Sequence, residues 1–128
     1  MSREEHQIQS AAVKRFKMKY PKFHMCLFAI PNGAVLSGGA KQWNYLAAEG
    51  ALPGVSDLFL AVPASVYSGL FLEVKTEKGS LTVNQRSFLK AVRDIGYDTK
   101  VCKGVDALDK ALDEHMELYF ECAKIRGE

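Results

Sequence analysis

Two strongly apolar segments, VSDLFLAV at residues 55–62 and LFLEVKT at residues 70–76, constrain the fold of this chain more than any other feature. Both are rich in apolar and aromatic residues, which is typical of buried β-strands. Residues 63–69 link them, and so short a link favours an antiparallel pair. Strands of this kind need cover from other elements, so we expect a sheet flanked by helices.

Helices and further strands are predicted on either side of this pair, from the periodicity of apolar residues and from Pro and Gly at the ends of segments. The predicted helices span residues 2–19, 39–49, 83–95 and 105–123, and the other predicted strands span residues 24–30 and 98–103. The order is therefore α-β-α-β-β-α-β-α. The helix between the last two strands permits a parallel crossover. The sequence predicts an α/β fold with a mixed central sheet flanked by helices.

Each predicted helix carries an apolar stripe at helical spacing. The stripes are Ile8, Ala12 and Phe16; then Trp43, Leu46 and Ala47; then Phe88, Leu89, Val92 and Ile95; and finally Leu108, Ala111, Leu112, Met116 and Tyr119 or Phe120. Thr82 and Gln85 have the spacing of a capping box at the start of the third helix.

Composition sets limits on the class of protein. The 128 residues fit one domain over residues 1–128, and 48% hydrophobic with 25% charged residues is ordinary for a globular protein. A formal charge of +2 does not by itself announce a nucleic-acid partner. Three separated cysteines favour free thiols, and the polar N-terminus resembles no secretory signal. We expect an intracellular, cytoplasmic protein with no membrane partner.

Charged residues stand in the middle of the two central strands, where few are expected. Asp57 lies in the first strand, and Glu73 and Lys75 lie in the second. Residues two apart on a strand share a face, so Glu73 and Lys75 point the same way while Val74 points to the opposite side. If the strands are neighbours, Asp57 faces Glu73 across the pair.

Two carboxylates held this close repel each other, and a divalent cation compensates them better than a lysine alone. Mg²⁺ or Mn²⁺ prefers such oxygen ligands, lowers the pKa of bound water and neutralises phosphoryl charge, while Lys75 could orient the attacking water or stabilise the transition state. The alternative is a plain ion pair of Lys75 with Asp57 or Glu73.

The first and third helices each aim polar groups at the boundary of the core. Extending their stripes backwards reaches Glu5, with Gln9 one turn beyond, and Gln85. Glu5 could be a third carboxylate at the metal, and the two glutamines could bond a carboxylate, a water or a phosphate. The alternative is a first-turn Glu5 favoured by the helix dipole and a Gln85 that only caps its helix.

These residues resemble a known family. GVSDLFL, GLFLEVKTEKGSLTVNQRSFL and the later GY with its short strand, together with EHQIQ and the PNG turn, are similar to the VRR-NUC (virus-type replication-repair nuclease) domain. The resemblance runs from about Glu5 to His115. It implies a restriction-endonuclease-like PD-(D/E)xK fold and phosphodiester hydrolysis with Mg²⁺ or Mn²⁺.

The resemblance also implies roles for single residues. Asp57 and Glu73 become metal ligands together with the Val74 carbonyl, and Lys75 becomes the catalytic lysine. Glu5 matches the family's helix glutamate, and Gln85 matches the glutamine after the ExK strand. Ser56 stands where the class name has proline, but that proline ligates nothing. Short stand-alone members resemble phage or bacterial proteins that act as homodimers on branched DNA, including four-way (Holliday) junctions.

Predicted DNA contacts lie around this centre. They are Asn32 and Lys41 in or after the loop of residues 31–41, Lys78 after the ExK strand, and the basic stripe Arg86, Lys90 and Arg93. A second basic cluster, Lys14, Arg15, Lys17, Lys19 and Lys22, crowds the end of the first helix. A mobile loop is the alternative for Asn32 and Lys41, and a solvated helix face is the alternative for the basic residues on the helices. The loop is not a P-loop, because Gly39 stands where that motif needs lysine. His6, His24 and His115 are expected to be non-catalytic.

Three functions follow in order of preference. The first is a divalent-metal-dependent DNA endonuclease, and the second is a DNA-binding module with a nuclease-like fold that does not cut. The intact acidic pair with its lysine favours the enzyme. A sugar- or nucleotide-binding protein is disfavoured because the chain has no glycine-rich phosphate loop.

Overall fold

The computed structural model describes residues 1–31 and 39–128. Four helices and four strands follow in the predicted order α-β-α-β-β-α-β-α, with a 3-10 helix at Pro21–Cys26. Their bounds are α1 Arg3–Lys19, β1 Leu27–Ala29, α2 Gly39–Ala48, β2 Leu58–Leu60, β3 Leu70–Lys75, α3 Val83–Asp94, β4 Asp98–Lys103 and α4 Val105–Ile125. No helix in this described part combines the length and the hydrophobicity that a membrane span needs.

The strands form one four-stranded sheet in the order β1-β2-β3-β4. β1 and β2 are antiparallel, β2 and β3 are antiparallel, and β3 and β4 are parallel across the crossover through α3. Leu58 lies opposite Leu72, and Val74 lies opposite Cys102. The predicted mixed sheet, with an antiparallel central pair and a parallel last pair, is confirmed.

One face of the sheet carries the main hydrophobic core, under α1 and α4. Side chains alternate along each strand, so every second residue of β2 and β3 reaches this face. The strands supply Leu27, Leu58, Leu60, Leu70, Leu72, Val74 and Cys102, and the helices supply Ala12, Phe16, Leu108, Ala111, Leu112 and Met116. The predicted stripes of the first and last helices are thus buried, apart from half-buried Ile8 and Tyr119 and exposed Phe120.

The opposite face carries aromatic rings and is covered in part by α3. Phe59 stacks on Phe71 with ring centroids 4.4 Å apart, and Phe88 of α3 meets Phe71 edge-on at 5.2 Å. Phe28 and Tyr97 extend the row of rings across the sheet. Glu73 and Lys75 lie on this same face of β3, beyond Phe71, because they share its alternation.

Two predicted strands are shorter than expected. Residues 24–30 were predicted as a buried strand, but His24 belongs to the 3-10 helix that follows Pro21, and β1 keeps only Leu27–Ala29, of which only Leu27 is buried. β1 is an edge strand with a single neighbour, so little of the segment is covered. The strand predicted at residues 55–62 is confined to Leu58–Leu60, because Asp57 directs its side chain into the sheet in place of a strand partner.

The predicted stripe of the second helix is wrong in part. No residue of α2 is buried: Trp43 and Leu46 are half-buried, and Ala47 is exposed. In α3 only Leu89 is buried, and Ile95, which follows the helix, is exposed. Both helices lie outside the core that is formed by α1, α4 and the sheet. Their apolar stripes are therefore only partly covered by the rest of the protein.

Candidate active site

Asp57 ends the pairing of β2 with β3. Extending the register of Leu58 with Leu72 by one residue places Asp57 opposite Glu73, on the same face of the sheet. There the Asp57 Oδ2 accepts a hydrogen bond from the Val74 N–H at 2.7 Å. The carboxylate thus replaces the carbonyl that a longer strand would have supplied, and its position is fixed by the β3 backbone.

Glu73 and Lys75 project from β3 on the side away from the core. Glu73 is 2% exposed and Lys75 9% exposed, so both charged groups are largely removed from water. The Lys75 Nζ lies 3.7 Å from the Glu73 Oε1. The Glu73 Oε2 is buried and has no hydrogen-bond partner among the described residues. The Glu73 Oε1 is therefore held by polar side chains of the protein, while the Asp57 carboxyl group lies within hydrogen-bonding reach of the Glu73 carboxylate.

Gln85 holds Glu73 from the first turn of α3. Its Nε2 donates to the Glu73 Oε1 at 3.1 Å, and its Oε1 accepts from the Thr82 N–H at 2.9 Å. The Thr82 hydroxyl accepts in turn from the Gln85 N–H, which completes the predicted capping box. Capping and contact with a carboxylate were alternatives from the sequence, and this one side chain does both.

The electrostatics of the pair reflect burial and mutual repulsion. Burial raises the pKa of Glu73, and the neighbouring Asp57 raises it further, to about 8, against the opposing effect of Lys75. Burial also raises the pKa of Asp57, although the hydrogen bond from the Val74 N–H opposes this. Without a further cation, the pair therefore retains a proton more readily than two separate carboxylates would.

Glu5 lies at the start of α1, close enough to act on the same pair. Its charge raises the pKa of both Asp57 and Glu73. It also forms a capping box with Ser2, whose N–H donates to the Glu5 Oε1 at 2.9 Å. Within residues 1–31 and 39–128, no three acidic, His or Cys side chains are grouped tightly enough to hold a metal. Glu5 therefore lies near the pair without forming a triad with it. One turn further along α1, the Gln9 Oε1 is buried and has no hydrogen-bond partner among these residues.

The basic stripe of α3 is only partly free. Lys90 Nζ lies 2.6 Å from the Asp94 carboxylate, and Arg93 donates to the Thr99 hydroxyl at 3.3 Å. Arg86 is exposed near the start of the helix, one residue after Gln85. Of the predicted phosphate contacts on this helix, Arg86 is thus the one next to the site.

The remaining predicted DNA contacts are dispersed. Lys78 is exposed in the turn that follows β3, three residues after Lys75. Lys41 is exposed on α2. Asn32 lies outside the described residues.

Two residues of the predicted basic cluster on α1 are engaged elsewhere. The Asp113 carboxylate accepts from the Arg15 guanidinium at 2.7 and 3.2 Å and from the Tyr20 hydroxyl at 2.8 Å, and Lys19 Nζ lies 3.1 Å from it. Arg15 also approaches Asp109 at 3.7 Å. Sequence reasoning missed this network, because the partners are 98 residues apart and no local spacing links them.

The histidines lie outside the acidic pair's hydrogen bonds. His115 is buried in α4 with its Nε2 2.7 Å from the Val62 carbonyl oxygen. His6 lies within 3.4 Å of the Ser10 hydroxyl on α1, and His24 is exposed.

Comparison with known proteins gives a consistent result. The family model of the VRR-NUC domain matches residues 3–106. Among solved structures, a VRR-NUC domain protein superposes with a TM-score of 0.78, at 19% sequence identity and over 92% of each chain. At that identity the likeness shows a shared fold. No curated protein matches the sequence.

Proposed function

The chain belongs to the VRR-NUC family, a nuclease-type family, and from that premise we propose that it is a divalent-metal-dependent DNA endonuclease whose reaction centre is Asp57, Glu73 and Lys75. One observation carries the proposal. Buried Glu73 and Lys75 and half-buried Asp57 are held at the end of the β2–β3 pairing, and the Glu73 Oε2 has no hydrogen-bond partner among the described residues. We take residues 1–128 as one such nuclease domain.

The donor set fits Mg²⁺ or Mn²⁺. These cations bind through one or two carboxylates and keep several waters for themselves and for substrate phosphate. The Glu73 Oε2 is a buried acceptor with no partner among the described residues, and Asp57 is fixed by only one of its oxygens to the Val74 N–H. Because the N–H and C=O of one strand residue point to the same side, the Val74 carbonyl also lies on the Asp57 side of β3. Asp57, Glu73 and this carbonyl would hold the cation.

The bound cation would neutralise charge on a phosphoryl oxygen and supply an activated water. The chain's own residues fix the positions needed for this. The Val74 N–H fixes the position of the Asp57 carboxylate, and Gln85 fixes that of Glu73. Glu5 adds negative charge near the pair, which favours the binding of a cation. Because the two carboxylates destabilise each other when both are ionised, a cation between them is stabilised by the same repulsion.

Lys75 is proposed to act on the phosphate and water directly. Its ammonium lies 3.7 Å from Glu73 Oε1, beyond a close ion pair, and Gln85 already donates to that oxygen. Lys75 can therefore keep donors for a substrate oxygen or for the attacking water. A fixed ammonium in a dry site stabilises the charge that develops on phosphorus oxygens in the transition state.

The proposal extends to the substrate on the strength of the family resemblance. We propose that the protein acts as a homodimer on branched DNA, such as four-way junctions, with Lys41, Lys78, Arg86 and Lys90 near the duplex. Basic side chains of this kind position DNA through its phosphates and do not read sequence. Lys90 is the weakest member of this set, because Asp94 already neutralises it.

The test is cleavage of labelled linear duplex, flap and four-way-junction DNA with Mg²⁺, Mn²⁺ or EDTA. We expect wild type to cut with either metal, Glu73→Gln to be inactive, and Lys75→Ala to lose roughly 100- to 1000-fold in rate. Glu117→Gln and Lys110→Ala, at exposed positions of α4, are matched controls that should cut normally. Equal cleavage by wild type and both site variants would overturn the assignment, and DNA binding without cleavage by wild type would favour the non-cutting module.

A further inference from the structure

A groove of about 490 Å³ lies between α1 and the edge strand β1. Its α1 wall includes His6, Lys14 and Lys17, and its β1 wall includes Leu27 and Ala29. Among the described residues that line it, none is acidic. We call this feature the α1–β1 groove.

The lysines of the groove form no salt bridge with any residue in the described part of the chain. Arg15 and Lys19, on the neighbouring side of the same helix, are bound to Asp113. In contrast, among the described residues no salt bridge involves Lys14 or Lys17. Of the basic residues on α1, Arg15 and Lys19 are thus paired with α4, whereas Lys14 and Lys17 face the groove.

Both walls of the groove lead to the acidic pair. On α1, His6 follows Glu5, whose charge acts on Asp57 and Glu73. On the other wall, the residue after Ala29 is Ile30, whose N–H donates to the Asp57 carbonyl oxygen at 2.9 Å. The residues that line the groove are therefore next in sequence, on both walls, to residues that interact with the acidic pair.

The geometry of α1 sets the distance between the lysines and the site. At a rise of about 1.5 Å per residue, Lys14 and Lys17 lie about 14 and 18 Å along the helix from Glu5. Neighbouring phosphates of one B-form strand are about 7 Å apart, because the strand winds around an axis along which it rises about 3.4 Å per nucleotide, so these distances correspond to about two to three nucleotide steps. Uncompensated ammonium groups at this distance suit the phosphates of a strand that leaves the site.

We propose that the α1–β1 groove binds the sugar–phosphate backbone of the cleaved strand, on one side of the scissile bond and about two to three nucleotides from it. This inference rests on the proposed nuclease function and specifies where its substrate lies. Lys14 and Lys17 contact phosphates, and Gln9 lies between them and Glu5, with a buried Oε1 that has no hydrogen-bond partner within residues 1–31 and 39–128. A peptide strand added to the free edge of β1 is the competing occupant, and it would not require the lysines.

The first experiment measures binding of a labelled four-way junction in EDTA over a range of salt concentrations. Lys14→Ala/Lys17→Ala removes two phosphate contacts, so the slope of log K against log salt should fall in magnitude by about 1.4 to 1.8. Lys110→Ala/Lys124→Ala makes the same charge change on exposed positions of α4 and should leave the slope unchanged. Lys14→Arg/Lys17→Arg keeps the charge and should restore the wild-type slope. A groove variant with the control's slope overturns the inference.

A second experiment trims the DNA on each side of the cut site from about six nucleotides to about one. Wild-type cleavage should weaken on trimming one side only, and the Lys14→Ala/Lys17→Ala variant should no longer respond to that trimming. If wild type cleaves and the variant still responds to trimming as wild type does, the proposed role of the groove is overturned and the proposed nuclease function stands. If the variant has a lowered salt slope but wild type does not cleave, the proposed nuclease function is overturned and DNA binding by the groove stands.

Discussion

At the scale of single residues, the site depends on backbone and amide groups that restrain two carboxylates. Asp57 is held by the Val74 N–H, and Glu73 is held by Gln85. Ser56, before Asp57, is fully buried with its hydroxyl unpartnered, so its side chain adds nothing to the site's hydrogen bonds among the described residues. The arrangement of the acids is thus decided by neighbours that carry no formal charge.

A comparison of Gln85 with Thr82 distinguishes the positioning of Glu73 from the stability of the fold. Both form the capping box of α3, but only Gln85 touches Glu73. We expect Gln85→Ala and Thr82→Ala each to destabilise the fold by about 1 kcal/mol, because each removes half of the cap. Only Gln85→Ala should also weaken Mn²⁺ affinity, by about 10- to 100-fold, because a partner of a ligating carboxylate is lost.

The measurements for this pair are urea unfolding and Mn²⁺ titration by calorimetry. Gln85→Glu adds a third carboxylate beside Glu73 and should change the metal affinity without restoring the amide donor. If Thr82→Ala and Gln85→Ala lowered Mn²⁺ affinity equally, the contact with Glu73 would have no separate role.

At the scale of elements, α1 and α4 are joined by both an apolar interface and a partly exposed polar network. Phe16 and Ala12 of α1 pack with Leu112 and Met116 of α4 in the core. Beside them, Asp113 accepts from Arg15 and Tyr20 and pairs with Lys19. The network fixes the register of α4 against the helix that carries Glu5.

Asp113 is the acid on which this network depends. Burial alone would raise its pKa, but the hydrogen bonds from Arg15, Tyr20 and Lys19 prevail and lower the pKa to about 2. Because the folded pKa lies below the ordinary value of 3.8, the stabilisation is fully present above about pH 4 and is lost as the pH falls towards 2. It amounts to about 2 kcal/mol.

We therefore expect Asp113→Asn to lower the free energy of unfolding at pH 7 by about 2 kcal/mol, and by less near pH 2.5. Urea titrations at the two pH values provide the measurement. Glu114→Gln, at an exposed neighbour that pairs with Lys110 at 3.8 Å, should change stability by less than about 0.5 kcal/mol. An equal loss for Asp113→Asn at both pH values would contradict the network's role.

At the scale of the whole molecule, the acidic pair opposes folding unless it is protonated or bound to a cation. The Glu73 pKa rises from 4.5 to about 8 through burial and the proximity of Asp57. The folded state therefore binds this proton more tightly than the unfolded chain does. The resulting stability is fully present below about pH 4.5 and is lost as the pH rises through about 8.

Metal-free wild type should accordingly be less stable at pH 9 than at pH 5, with a Glu73 contribution on the order of 4 kcal/mol. Glu73→Gln should remove most of that difference and should melt higher than wild type at pH 9 in EDTA. Mn²⁺ should raise the wild-type melting temperature by binding the folded state, and should have little effect on Glu73→Gln. Scanning calorimetry with Glu117→Gln as the control measures all of these, and identical pH profiles for wild type and Glu73→Gln would contradict the origin of the effect.

Much of the fold follows from local patterns in the sequence. The order of elements, the bounds of β4, the capping box of α3 and the shared face of Glu73 and Lys75 depend on residues only a few positions apart. The shortening of β1 and β2 could not be predicted in this way. It results from an edge position in the sheet and from a side chain that bonds a backbone group 17 residues away.

The sequence by itself determined which residues carry charge inside apolar strands, and so which residues are candidates for a reaction centre. Only the tertiary structure decided which charges are free to act. Arg15 and Lys17 are equivalent in a linear pattern of basic residues, yet α4 neutralises the first and leaves the second facing the groove. The physical reason is that ion pairing depends on distance in space, and the partner Asp113 lies 98 residues away along the chain.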